Sequence, residues 1–253
     1  MLFRQLFEPM SSTYTYLLAC EKTGEAALID PVFETVERDL DLVSGLGLKL
    51  ASTLETHIHA DHVTGAGRLR ALSGSKAGFP AASGAEGVDF TISEGRPVRI
   101  GTLVLKPIYT PGHTDDHHAY LIETAGEAHI FTGDALLIEG CGRTDFQNGD
   151  AGTLYRSVRE KIFALPEETL VYPAHDYNQR RVSSVAQERA RNPRLGNGKT
   201  LEEFVAIMAA LNLPRPKKMD IAVPANLACG DVSAGLDADK TVPPMNETFS
   251  ERR

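Results

Sequence analysis

The chain is short of several things, and each shortage excludes something. It has no tryptophan and only three cysteines, Cys20, Cys141 and Cys229. The cysteine count is odd, the spacing is wide and there is no Cys-x-x-Cys pair. A disulfide framework is therefore not expected, and a reducing compartment fits better. No apolar run approaches the length of a membrane span. The opening residues Met1 to Glu8 lack the apolar stretch of a signal peptide, so a cytoplasmic protein away from membranes is expected. Positive charge is in deficit too: 26 Lys and Arg against 34 Asp and Glu give a formal net charge of -8. An acidic chain gains nothing from counterion release, which argues against a nucleic-acid partner. No internal repeat, low-complexity segment or linker stands out. With 253 residues, 42% hydrophobic and 24% charged, the composition is that of a soluble globular protein with a sizeable core. A single domain over 1–253 is expected: a core over about 1–190, a helical part over 191–230 and, over 231–253, a surface-wrapping tail or a partly mobile segment.

Patterning places the elements. Thr13 to Ala19 and Ala26 to Asp30 read as strands around the turn Glu21-Lys22-Thr23-Gly24. Val36, Leu40 and Val43 recur at helical spacing up to Gly45 and Gly47. Leu48 to Glu55 reads as a buried strand, and Val63 to Leu72 as a helix. Val98 to Ile100 and Leu103 to Tyr109 are strands, Ala119 to Glu123 and Ala128 to Thr132 a hairpin. Leu154, Val158 and Ile162 mark a helix, and Leu170 to Tyr172 a strand. Thr200-Leu201-Glu202-Glu203 resembles a capping box ahead of a helix with Phe204, Val205, Met208 and Leu211. Four strand-like runs end at His57, His113, Asp134 and His175. Loops after strand ends converge on one edge of a layered α/β structure, so these four residues point to one shared site.

The densest part of that site is Thr56-His57-Ile58-His59-Ala60-Asp61-His62. Imidazole is the commonest protein metal ligand, and a carboxylate adds charge and hardness. Alternate residues on an extended segment face the same way, so His57 and His59 can share a face. By spacing alone the set accommodates one metal or two. In the two-metal version His57, His59 and His113 form one half-site and Asp61, His62 and His175 the other, with Asp134 bridging.

His-x-His-x-Asp-His followed by separated His, Asp and His resembles the signature of the metallo-β-lactamase superfamily. That resemblance implies an αββα sandwich with the metal at one edge. The run Gly133-Asp134 through Gly140-Cys141-Gly142-Arg143-Thr144-Asp145-Phe146-Gln147 narrows it, together with Tyr172-Pro173-Ala174-His175-Asp176-Tyr177 and Asn192-Pro193-Arg194-Leu195. Over about Phe3 to Gly230 the chain resembles the persulfide dioxygenases, also called sulfur dioxygenases, the family of the protein altered in ethylmalonic encephalopathy. The related glyoxalase II enzymes share Gly-Cys-Gly-Arg. They usually lack the Arg-Thr-Asp-Phe-Gln continuation and the Asp-Tyr after the last histidine.

The resemblance implies one Fe(II) per chain, held by His57, His113 and Asp134. Two histidines and one carboxylate leave three positions on iron for O2 and substrate. His59, Asp61, His62 and His175 then orient the ligands and bind water or oxygen. The implied reaction converts glutathione persulfide, O2 and water to glutathione and sulfite. Arg143 and Arg194 are the expected partners of the glutathione carboxylates, Tyr177 a hydrogen-bonding group beside the open positions, and a homodimer the expected assembly. A binuclear thioester hydrolase of the glyoxalase II kind is the competing reading, and a non-enzymatic metal-binding module a weaker one. Cys141 lacks a base in sequence and reads as a small buried hydrophobe. His117 and His118 stand where relatives carry a small Gly-Cys or Gly-Ser element, and they are not expected to ligate. No fused rhodanese-like domain is expected.

Overall fold

Two six-stranded sheets carry the architecture of this computed structural model, which describes residues 1–124, 126–178 and 180–235. The first sheet orders β1 (Leu2–Glu8), β2 (Thr13–Ala19), β3 (Glu25–Ile29), β4 (Lys49–Leu54), β5 (Lys76–Pro80) and β6 (Phe90–Ile92) side by side. The second does the same with β7 (Val98–Ile100), β8 (Leu103–Tyr109), β9 (His118–Thr124), β10 (Glu127–Gly133), β11 (Leu170–Pro173) and β12 (Ser183–Ser184). Of the four parallel pairs among the described residues, three are crossed by an α-helix, while β5 runs to β6 through a 3-10 turn at Ala81–Ser83. Helix α1 (Val36–Gly45) joins β3 to β4, and α2 (Ala66–Ser73) joins β4 to β5. Helix α3 (Ala151–Ser157), continued by a π-helical turn over Val158–Ile162, joins β10 to β11. Helices α4 (Val185–Arg191), α5 (Leu201–Ala209) and α6 (Met219–Leu227) follow.

The layering follows from the period of two along buried strands. In β2, Tyr14, Tyr16 and Leu18 face the second sheet, packing with Ile122, Phe131 and Tyr172. Leu17 and Ala19 of the same strand face Val36, Val43 and Leu69 of the helices outside. In β9, Tyr120 and Ile122 face the first sheet, while Ala119 and Leu121 pack on Leu154, Val158 and Phe204. The result is helix, sheet, sheet, helix, the αββα sandwich expected from the sequence.

That topology positions the site. Strand β9 is antiparallel to both β8 and β10, and β10 is parallel to β11, so β8, β10 and β11 all end at the same edge. The His118 N–H donates to the Thr56 carbonyl at 2.8 Å, and the Tyr14 N–H to the Ala174 carbonyl at 2.7 Å. These two bonds bring the loop after β4 and the start of β2 to that edge.

The sequence pattern misses β1, β5, β6, α4 and α6. It also starts the helix after the histidine run too early. Residues 57–65 hold no helix and α2 begins at Ala66, because residues 63–65 pair instead with the extended segment at 31–33. The capping box at Thr200 and Glu203 is present, with both reciprocal bonds. Of the expected tail, residues 236–253 lie outside the described residues.

Candidate metal centre

His57, His113 and Asp134 each offer one ligand atom, and these atoms lie within 4.8 Å of one another. Asp134 follows Gly133, which has φ +51°; a Cβ there would fall 2.4 Å from His117 Nε2. Only glycine lets β10 end so close to its neighbours.

The hydrogen bonds behind each ring fix which nitrogen is free. The His113 Nδ1–H donates to the Arg143 carbonyl at 2.6 Å, which leaves Nε2 with the lone pair. Thr56 donates its hydroxyl hydrogen to Asp30 Oδ2 at 2.9 Å, so its oxygen is left to accept from His57 Nδ1–H at 2.9 Å. His57 Nε2 is then the free lone pair. Burial, reinforced by the neighbouring histidines His59, His113 and His117, pushes the His57 pKa well below its ordinary value, so the ring is neutral, as a ligand must be. The Asp134 carboxyl lies below the usual carboxylate range: burial opposes its charge, but the charges of His175 and His113 and the His175 hydrogen bond outweigh it. Two imidazoles and one carboxylate with their ligand atoms this close together suit a divalent transition metal.

The second set is built differently. His175 lies between two carboxylates, with Nδ1 2.6 Å from Asp134 Oδ1 and Nε2 2.9 Å from Asp61 Oδ2. Burial disfavours its charge, yet Asp134 and Asp61 raise its pKa well above the ordinary value. Both ring nitrogens of His175 thus already face carboxylate partners. Asp61 Oδ2 also meets His62 Nδ1 at 2.9 Å and the Thr13 hydroxyl at 3.4 Å. His62 Nε2 is buried without a partner, and His59, Asp61 and His62 form a second group of possible ligands. His59, however, sits 3.2 Å from Asp30 Oδ1 and 3.4 Å from Glu55 Oε2. Against the cost of burial, these two charges raise its pKa well above the ordinary value, which draws the ring away from ligation.

His117 and His118 are supports. His117 Nε2 accepts the Asp134 N–H at 3.1 Å, and His118 Nδ1–H donates to the Asp116 carbonyl at 2.8 Å. The metal edge opens into a cavity of about 550 Å³, within the range of small-molecule sites. Its wall includes Asp61, His113, Asp134, Arg143, Tyr177 and Arg194. The Tyr177 ring lies parallel to that of His175, with centroids 6.3 Å apart, and is 72% exposed.

The two arginines are unequal. Arg143 grips Asp145 with two nitrogens and donates to the carbonyls of Leu213 and Pro214, lying over the Phe146 ring. Arg194 donates through Nη1 to the Cys141 carbonyl at 2.8 Å. Among the described residues its Nε and Nη2 make no hydrogen bond.

The sequence model of the metallo-β-lactamase superfamily matches residues 10–175. Over 230 residues, 90% of this chain and 89% of the relative, the sequence is 53% identical to the mitochondrial persulfide dioxygenase ETHE1 of Mus musculus. The crystal structure of ETHE1 from Myxococcus xanthus matches with a TM-score of 0.87 and 52% identity, covering 91% of this chain and all of that one. The chain belongs to the persulfide dioxygenase family. Hydroxyacylglutathione hydrolase of Rhodospirillum rubrum is more distant, at 38% identity over 74% of this chain and 71% of that protein.

Asp30 and Glu55 are both fully buried and flank His59; a buried acid at a strand end leaves no mark in sequence. Arg180 lines the cavity and bonds Asp176, Glu139 and the Ile138 carbonyl. Cys141 also lines the cavity, but burial raises its thiol to about 11, so it behaves as the small hydrophobe the sequence suggested. All three cysteines are unpaired. No described helix is long and apolar enough to cross a membrane.

Proposed function

We propose that the protein oxidises the terminal sulfur of glutathione persulfide with O2 and water, releasing glutathione and sulfite, on one Fe(II) per chain held by His57, His113 and Asp134. The observation that carries this reading is the closeness of those three donors, two of them (His113 and Asp134) in the cavity wall, while His175 lies between Asp61 and Asp134. Bound iron supplies the electron coupling between sulfur and oxygen that no side chain here provides. The chain's own groups do the rest. Arg143 O and Thr56 hold the histidine tautomers. Arg194, with donors to spare, receives a glutathione carboxylate, a contact suited to a planar guanidinium. His175 stands beside Asp134 as a proton-bearing group facing the cavity, and Tyr177 covers its outer face. The working form is a homodimer in the cytoplasm, in keeping with three unpaired, buried thiols.

The unpartnered His62 Nε2, close to His59 and Asp61, favours a second reading, a binuclear hydrolase of glutathione thioesters. Metal analysis combined with an oxygen electrode separates the two. One iron per chain with oxygen uptake on glutathione persulfide, and sulfite as product, is the expected result. Two metals per chain with thioester hydrolysis and no oxygen uptake would replace it.

A further inference from the structure

The loop that carries the metal motif has no helix and a single β-bridge, Thr64 to Val32, so most of its backbone lies outside any ladder. Buried carbonyls and N–H groups still need partners. Asn226 of α6 supplies three. Its Nδ2 donates to the carbonyls of His59 and His62, each at 2.9 Å, and its Oδ1 accepts the Thr64 N–H at 2.8 Å. The residue is 1% exposed. The two carbonyls flank Ala60-Asp61, so one carboxamide sets the span of the turn that presents Asp61. Thr64 extends the restraint: its hydroxyl donates to Glu55 Oε1 at 2.6 Å and accepts the Ala66 N–H at 3.0 Å. The end of α6 fits this closely because Gly67 has no side chain; a Cβ there would fall 2.3 Å from the Cys229 carbonyl.

We infer that Asn226 is a positioning residue of the metal centre. It fixes the His59–His62 turn, and that turn aims Asp61 at His175, whose other nitrogen holds the ligand Asp134. This inference rests on the metal-centre reading above but not on the choice of iron. The sequence motif therefore depends on a helix that lies beyond the last motif residue, and nothing in the spacing of the histidines shows it. A bond of this kind behind the ligands typically changes metal affinity by about 10–100-fold.

The test compares three variants of the full chain. Asn226→Asp keeps the acceptor for Thr64 and removes both donors. Asn226→Ser shortens the side chain. Phe204→Leu, in the core between α3 and α5, is the control for lost stability alone. Each is loaded with Fe(II) and titrated with a chromophoric chelator, and each metal-free chain is melted by circular dichroism. Both Asn226 variants are expected to yield iron at about tenfold lower chelator concentration or less, while Phe204→Leu melts earlier but holds iron like the parent. Equal iron retention in Asn226→Asp and the parent would overturn the inference. Failure of both Asn226 variants to fold would also overturn it, by making the residue a folding element. If the parent takes up zinc but not iron, the iron reading falls, and the same titration with Zn(II) still decides the role of Asn226.

Discussion

His57, His113 and Asp134 are made of the same residue types as Asp61, His62 and His175, and they sit at the same edge. They differ in what stands behind them. In the first set a carbonyl and a hydroxyl take the rear nitrogens, and the front nitrogens stay free. In the second, each of the two ring nitrogens of His175 faces a carboxylate, and Asp61 serves three neighbours at once. The first arrangement leaves its front nitrogens to a cation; the second engages both nitrogens of His175 with carboxylates. A ligand set is therefore recognised by the partners of its non-ligating atoms as much as by its own residues.

The largest expected effect tests that contrast head-on. Asp134→Ala removes a donor and also releases His175, so iron affinity should fall by more than the roughly 100-fold upper range for supporting partners. His62→Ala should keep one iron per chain, with affinity weakened within about 10–100-fold. Plasma mass spectrometry of the purified chains gives the counts. Equal loss of metal in both variants would erase the distinction between the two sets and favour a shared, two-metal site.

A second contrast concerns the cavity wall. Arg194 has free donors and Arg143 has almost none. Arg194→Ala should raise KM for glutathione persulfide by about tenfold or more, as expected for losing a hydrogen bond to a charged group, with little change in kcat. Arg143→Ala should lower kcat as well, because it frees Leu213 and Pro214 and disturbs the carbonyl that holds His113. Steady-state kinetics on both variants decides the matter. A pure KM effect at Arg143 would mean that its guanidinium leaves Asp145 to meet substrate.

These contrasts also show where sequence reading stops. The αββα layering was legible, because buried strands such as β2 keep a period of two and the motif residues follow strand ends. Strands β5 and β6 were not, since Lys76–Pro80 and Phe90–Ile92 are short and owe their pairing to parallel neighbours. The expected ligands His57, His113 and Asp134 do come together, and so do the outlying histidines. What the sequence left open was the difference between the two sets, because it is written in backbone atoms such as the Arg143 carbonyl and in distant residues such as Asp30 and Asn226. Arg143 and Arg194 looked equivalent as guanidinium groups, and the Asp145 carboxylate together with the carbonyls at 213–214 separates them.

The smallest expected effect asks whether either set needs another histidine. His118 is next to His117 and close to the cluster in sequence, yet its ring turns away, with its Nδ1–H on the Asp116 carbonyl and its face toward Tyr109 at 5.2 Å. Burial lowers its pKa from 6.5, against the pull of the Asp116 carbonyl; Glu94 raises it and Lys161 lowers it through charge. The sign follows from linkage. With the folded pKa below the unfolded one, the unfolded chain binds more protons beneath about pH 6.5. The contribution of neutral His118 is thus present above that pH and is lost as the pH falls through the folded pKa. His118→Gln should flatten the decline of Tm on the acid side of pH 6.5 while leaving one iron per chain at pH 7.5. Melting curves of the metal-free chain across that range, paired with iron counts, read both quantities. An unchanged acid slope would remove the titration from His118. A loss of iron would place this histidine among the ligands and redraw the boundary between the two sets.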